Sequence, residues 1–471
     1  MRPLLLAMTL GTLAGCSVGP DFVRPTPALP SHWQAADAPH GAVDRQWWQQ
    51  LGDPQLTALV ERAASANLDV RSAAIRVAQS RIGRDLSSAE QLPGISARGS
   101  YQRARNSEVG LNDPSKLSGL APYELWSTAV DASWEVDLWG HVRRSLEAAD
   151  ATLALSQAER DGVLLSVTAQ MAGDYVRLRG VQARLQVARQ NLEIAQRNQA
   201  LTQARFENGV TTNLDTANAG AAVDTLQATL PMLEAEQARL INAMSLLLGA
   251  PPGTLEAQLL PPAAIPQPTA DVPLGLPSEL AQRRPDIQRA EAALHRATAA
   301  IGVAQADFYP RVSLGASLGY QALEGSDLGD WNSRAWSYGP SLYLPIFQGG
   351  RLTGTLALRE HQQQAAAIDY QRTVLQAWHE VADTLSDYHA ERRHQAALGR
   401  AVAQNQQALD TARQRYREGA IDFINVLNVQ RALLDTQSAL VDSATQAALD
   451  RVRLYKALGG GWPMPAATLA P

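Results

Sequence analysis

Apolar side chains recur along this chain with two different spacings, and the switch between them marks out its elements. Leu164, Val167, Met171, Tyr175, Leu178, Val181, Leu185, Ala188, Leu192 and Ala195 step by three or four residues, as do Tyr370, Val374, Trp378, Val381, Leu385 and Tyr388. This is the spacing of a coiled-coil seam. Each series lies in a stretch, Arg143 to Gly209 and Arg351 to Gly419, that has no proline and little glycine and is dominated by Ala, Leu, Gln, Arg and Glu. These are strong helix formers. Each stretch predicts one helix of about 66 residues, which at 1.5 Å per residue runs some 100 Å. Gly209 and Gly419 supply the left-handed position that ends a helix. Asn213 to Leu248 and Asp422 to Leu458 predict antiparallel return helices of about half that length. Shorter helices are expected at Leu68–Gln91 and at Pro285–Phe308, the second opened by a proline in its first turn.

Directly after Pro93 and Pro310 the spacing falls to two. Val312, Leu314, Ala316, Leu318 and Tyr320 alternate with Ser313, Gly315, Ser317, Gly319 and Gln321. Trp336, Tyr338, Leu342, Leu344 and Ile346 alternate with Ser337, Gly339, Ser341 and Tyr343, and Thr128, Val130, Ala132, Trp134 and Val136 alternate with Asp131, Ser133 and Glu135. Strands of about ten residues with one apolar face suit an outer-membrane barrel, and also a soluble sheet with one wet face. Aromatic residues collect in these segments, among them Tyr101, Trp126, Trp139, Tyr309, Trp331 and Phe347. Two strand pairs give four strands, whereas a membrane barrel has no open edge and needs about eight or more. One chain therefore does not close a barrel. Two copies would make one filled by side chains, and three would leave a lumen.

The two halves of the chain repeat one another. Asn67-Leu68-Asp69-Val70 matches Arg284-Pro285-Asp286-Ile287 at an offset of 217, which also carries Leu92-Pro93 onto Tyr309-Pro310. Trp139 and Arg143 match Phe347 and Arg351 at 208; Arg205 to Gly209 matches Arg415 to Gly419 at 210, as Leu248-Gly249 does Leu458-Gly459. Repetition organises the fold. It predicts repeat 1 over 53–250, with a strand pair at 94–139 and a tip at 209–215, and repeat 2 over 284–460, with a strand pair at 311–347 and a tip at 419–428. A proline-rich connector, 251–283, joins them, and 461–471 is a tail.

Ahead of the repeats, an apolar run from Leu4 to Leu13 ends in Leu13-Ala14-Gly15-Cys16, the only cysteine of the chain. The run has the length of a signal-peptide core and falls short of a membrane-spanning helix. Residues 1–15 are thus expected to be a signal peptide and Cys16 the site of lipid attachment, opening a lipidated arm over 16–52. Ser17, where inner-membrane retention would favour aspartate, points to the outer membrane. The formal charge is −5, from 41 Lys and Arg against 46 Asp and Glu, with no basic block; this argues against nucleic acid as a partner. Enzyme signatures are missing as well. His379-Glu380 lacks the second histidine of a zinc helix, Asp383 standing in its place, while His389 and His394 are five residues apart. Gly349-Gly350-Arg351 lacks the frame of a phosphate loop. The reading is of a chain with no catalytic residue, no metal site and no cofactor beyond the covalent lipid.

Together the lipid site, the duplicated unit of strand pair and long helical hairpin, and the two glycine turns resemble the outer-membrane factor (TolC-like) family, and within it the lipidated OprM/NodT-like branch. The resemblance covers essentially the whole mature chain. Its distinctive pieces are Cys16 to Phe22, Arg283-Arg284-Pro285-Asp286-Ile287 with Ala290-Glu291, and Phe308-Tyr309-Pro310. It implies a mainly α fold with a membrane β-barrel: four strands and long antiparallel coiled-coil helices per chain, assembled as a homotrimer with a 12-stranded barrel and a 12-helix periplasmic tunnel. It implies a periplasmic adaptor protein and an inner-membrane efflux transporter, expected to be proton-driven, as partners. The family's tip motif stands as Gly209-Val210-Thr211-Thr212-Asn213-Leu214-Asp215, and Gly209, Val210, Thr211, Thr212 and Gly419 are the implied adaptor contacts. The second copy departs from it, reading Gly419-Ala420-Ile421-Asp422-Phe423-Ile424-Asn425, then Val426-Leu427-Asn428. Amides replace carboxylates that relatives place at the lumenal constriction. Asn425 and Asn428 are therefore expected to line a gate that selects less for cations, with Asp422 and Asp215 as its remaining acids. A plainer reading makes Asp422 and Asn425 helix-start residues. The function implied is a passive exit duct for drugs or other small molecules. The alternatives are the duct of a type I protein secretion system, served by an ATP-driven partner, and a lipid-tethered coiled-coil scaffold with no channel.

Overall fold

Among the residues that the computed structural model describes, 17–26, 46–105, 122–266, 272 and 280–460, seven long helices and four strands carry the fold. Cys16, the predicted signal peptide, residues 461–471 and most of 267–279 lie outside that set. Helices α1 (Pro54–Ala66) and α2 (Leu68–Ala89) lead to strands β1 (Gly94–Ala104) and β2 (Tyr123–Val136). Then come the long helix α3 (His141–Glu207) and its return α4 (Asn213–Leu247). The order recurs with α5 (Pro285–Ala306), β3 (Arg311–Ala322), β4 (Arg334–Tyr343), α6 (Arg351–Arg417) and α7 (Phe423–Ala457). Equivalent helices have equal lengths: 22 residues in α2 and α5, 67 in α3 and α6, 35 in α4 and α7. No helix among the described residues is long and apolar enough to cross a membrane.

Local chemistry explains the boundaries. Asp53 opens α1, its carboxylate accepting from the backbone N–H of Gln55 and Leu56 at 2.8 and 3.1 Å, with Pro54 next. This is a strong N-cap. Both long helices begin after a glycine with positive φ, Gly140 at +84° and Gly350 at +83°, a backbone that side chains with a Cβ resist. That pairing corrects the offset expected for the helix starts: His141 is the counterpart of Arg351, and the spacing is 210 rather than 208 from one end of the helix to the other. The fourth strand also ends earlier than its alternation suggests. It stops at Tyr343, so Leu344, Ile346 and Phe347 lie outside it; Pro345 has no N–H with which to extend the ladder.

The chain folds into two compact units, each drawing on both halves of the sequence. The first contains Val77–Ser156, Ala290–Tyr370 and the arm up to Pro25, and with them the whole sheet. The second contains Thr26–Arg76, Gln157–Arg289 and the chain from Gln371, with both helical tips. Its core includes Leu56, Leu59 and Val60 of α1, Met171, Tyr175 and Leu178 of α3, and Leu454 and Tyr455 of α7, all fully buried. Trp47 stacks on Tyr455 at 5.3 Å.

Candidate functional site

The four strands form one antiparallel sheet in the order β1-β2-β3-β4. Its register places Ala97, Val130, Leu318 and Trp336 in one row across it, and Ile95, Ala132, Ala316 and Tyr338 in the next. Residues paired across an antiparallel sheet share a face, so the alternation seen in each strand adds up. One face carries these residues with Trp126, Trp134, Val136, Val312, Leu314, Tyr320, Pro340 and Leu342. The only charges among its strand residues are Arg103, Glu124 and Arg334, all at the end next to the β1–β2 and β3–β4 loops. The other face carries Ser96, Arg98, Ser100, Ser127, Asp131, Ser133, Glu135, Ser313, Gly315, Ser317, Gly319, Gln321, Ser337, Gly339 and Ser341. Here Arg98 pairs with Asp131 at 3.2 Å, and hydroxyls pair between Ser100 and Ser127 and between Ser313 and Ser341, each at 2.7 Å.

On the apolar face Leu318, Trp336, Tyr338 and Leu342 are more than 60% exposed. Moving such a side chain out of water is worth about 1.5–3 kcal/mol, so a face of this size is built for a nonaqueous neighbour. Aromatic residues gather towards both ends of the sheet: Tyr101 packs on Trp126 near the loops at 4.5 Å, and Trp139 stacks on Tyr309 beside the helices at 4.8 Å. The Trp139 indole N–H donates to the Pro310 carbonyl at 2.9 Å. An apolar band between aromatic girdles, backed by a polar face, is the surface of a membrane barrel strand. Among the described residues no further strand pairs with β1 or β4, so both sides of the sheet are open.

In the second unit both long helices end alike. The N–H of Val210 donates to the Arg205 carbonyl at 2.8 Å across Gly209, and that of Ala420 to the Arg415 carbonyl at 2.9 Å across Gly419. The glycines have φ of +72° and +75°, as this turn requires. After the first turn, Thr212 caps α4 and the Asp215 carboxylate accepts from the hydroxyls of Thr211 and Thr212. Asp215 is thereby engaged in starting its helix. After the second, Asp422 is the residue before α7, and its carboxylate makes no capping bond. The Asn425 side chain donates to the Asp422 backbone carbonyl at 3.4 Å. Asp422, Asn425 and Asn428 are exposed on the first turns of α7, while Phe423 and Val426 face inward.

Sequence reasoning missed what holds the two tips together. Leu409, Tyr416, Phe423, Val426 and Leu433 form a buried cluster with Ala219. Arg205 at the end of α3 donates to the Tyr416 carbonyl at 3.0 Å, its guanidinium 4.6 Å from the Tyr416 ring. Further along, Asn198 donates to Gln430 at 2.7 Å and Asn191 to Gln437 at 2.9 Å, tying α3 to α7. These pairs join residues more than 200 positions apart, and no local pattern announces them. Among the described residues no cluster of His, Cys, Asp and Glu is arranged to hold a metal ion. His379, His389 and His394 are exposed.

Comparison with known proteins bears on both regions. The family model described as "Outer membrane efflux protein" matches residues 59–250 and 276–460. Outer membrane protein OprJ of Pseudomonas aeruginosa is 32% identical over 464 residues, covering 98% of this chain and 95% of OprJ. Cation efflux system protein CusC of Escherichia coli is 28% identical over 468 residues, covering 98% of each. Among solved structures, the outer-membrane channel OprN superposes with a TM-score of 0.90 at 34% identity, over 95% of this chain and all of that one.

Proposed function

The chain belongs to the outer membrane efflux protein family, and from that premise we propose that it is the outer-membrane duct of a tripartite efflux system, a passive path by which small molecules leave the periplasm. The observation that carries this reading is the sheet: four strands with one apolar, aromatic-flanked face, one Ser- and Gly-rich face and two open edges. In a bilayer the open edges have to be paired. Three copies give twelve strands and a lumen lined by the polar face. A periplasmic adaptor would dock at the tips around Gly209, Val210, Thr211, Thr212 and Gly419, and an inner-membrane transporter, proton-driven, would supply the energy that the chain itself does not. Acylation of Cys16 would add a lipid anchor to the barrel.

Within this duct Asn425 and Asn428 form the gate. Three-fold symmetry makes each position a ring of three side chains, and amide rings lack the charge with which carboxylate rings attract cations. Asp422, free of capping bonds, contributes the acid that remains; the Asp215 carboxylate is already hydrogen-bonded by Thr211 and Thr212. The test is single-channel recording of the purified mature protein in planar bilayers. Conducting oligomers are expected, with cation preference raised several-fold in the Asn425→Asp, Asn428→Asp double variant. Unchanged selectivity in channels that still conduct would remove these residues from the pore. A preparation that never conducts and is monomeric would overturn the duct.

A further inference from the structure

Residues Ser17–Thr26 belong to no helix or strand, yet they are held closely, and the groups that hold them come from distant parts of the sequence. The Val18 N–H donates to the Trp139 carbonyl at 3.0 Å. Arg144, near the start of α3, donates from Nε to the Val18 carbonyl at 3.2 Å, and from Nη2 to the Gly19 carbonyl at 3.2 Å and an Asp21 carboxylate oxygen at 2.7 Å. Its Nη1 reaches Glu147 at 2.7 Å. The Arg144 side chain is only 6% exposed, and three of these four acceptors belong to the segment. A buried guanidinium deprived of most of its acceptors is costly. The seat and the segment therefore depend on one another.

Steric fit adds to the polar fit. Gly19, with φ of +93°, lies against Gly302 of α5: a Cβ on Gly19 would come within 2.4 Å of the Gly302 Cα, and one on Gly302 within 2.8 Å of the Arg144 side chain. Further on, Phe22 stacks on His295 of α5 at 4.3 Å, and His295 Nε2 lies 2.9 Å from Glu147. Arg24 pairs with Glu291 at 2.8 Å. The segment thus touches α3, from the first half of the chain, and α5, from the second, just where β2 passes into α3.

We propose that Ser17–Thr26 is a strap that fastens the N-terminus to the root of the sheet and ties α3 to α5, with Arg144 as the residue that holds it. The consequence for anchoring rests on the reading of Cys16 as acylated: a lipid one residue ahead of Ser17 is then presented at a fixed place beside the sheet instead of at the end of a loose tether.

Hydrogen exchange of the full mature protein in detergent, followed by mass spectrometry, tests this, with the mass of the N-terminal peptide reporting acylation in the same sample. The peptide covering the strap should exchange at least tenfold more slowly than a free chain. Arg144→Met should abolish that protection. Asp21→Asn should change it less than threefold, because the Asp21 side chain is 88% exposed and both carbonyl bonds remain. Gly19→Val changes no residue of the seat and should release the strap through its clash with Gly302, which covers the case of an Arg144 variant that fails to fold. A strap that exchanges freely in the acylated wild type, or that stays protected in Gly19→Val, overturns the proposal. A protected strap behind an unmodified Cys16 upholds it and overturns the lipid reading instead.

Discussion

Asn67 and Arg284 occupy the same place in the two repeats and do one job with different chemistry. Asn67 caps α2 with its side-chain oxygen, which accepts from the N–H of Asp69 and Val70, and its amide donates to the Leu247 carbonyl at the end of α4 at 2.9 Å. Arg284 stands before α5 and donates to the Ala457 carbonyl at the end of α7 at 2.7 Å, while pairing with Asp286 and Glu380 at the same distance. Each residue satisfies a helix-end carbonyl that would otherwise lack a partner. Asn67→Ala should cost about 1 kcal/mol, the usual loss for a cap. Arg284→Met removes the donor to the Ala457 carbonyl and unpairs two carboxylates that water still reaches, 40% and 47% exposed, and should cost about 2 kcal/mol. Thermal melts of the two variants at one scan rate should rank them in that order. Asp161 on α3 gives a prediction in pH. Burial raises its pKa to about 6 from 3.8, against the pull of its Arg160 partner. Between those values the folded state holds more protons than the unfolded chain, so this residue's contribution to stability falls as pH rises through the window and is level above it. Asp161→Asn should match wild type near pH 4 and melt higher at pH 7; equal melting temperatures at both would refute the assignment.

At the scale of elements, the sheet turns on how closely its strands approach. A Cβ on Gly319 would lie 1.9 Å from the Thr128 backbone oxygen, whereas one on Gly315 or Gly339, on the same face, would meet nothing within 4 Å. Gly319→Val should therefore reduce heat-stable oligomer on gels more than tenfold, with Gly315→Val and Gly339→Val close to wild type. The elements themselves were legible because their periods are long and uninterrupted. Nothing breaks α3 or α6 for 67 residues, and strict alternation in β3 leaves only one register that keeps apolar residues on one face. Ends were harder to read. The start of α3 depends on Gly140 adopting positive φ, which composition does not fix, and the end of β4 depends on Pro345. The tip turns were legible from Gly209 and Gly419, but the capture of Asp215 by Thr211 was not, since the sequence Thr-Thr-Asn-Leu-Asp suits a cap and a pore acid equally. Arg144 and Arg205 were invisible because their partners lie far off in sequence and long-range pairing leaves no local period.

For the whole molecule the edges of the sheet decide the assembly. Among the described residues β1 and β4 each pair on one side only, and a backbone N–H or carbonyl left unpaired in lipid costs several kcal/mol. A strand edge of ten residues would lose more than a domain's entire margin of about 5–15 kcal/mol, so a single chain has no stable place in the bilayer. Two copies would close eight strands around a core with room only for side chains, where the charges of the polar face, Arg98, Asp131 and Glu135 among them, would be buried away from water. Three copies would close twelve strands around a lumen, where small polar side chains and the Arg98–Asp131 pair would face water. Native mass spectrometry in detergent should accordingly find a protein mass of about 150 kDa, three times the 50.7 kDa chain. A dimer near 100 kDa would give a filled barrel with no passage, and a monomer would leave both edges open; either would remove the ground for a duct.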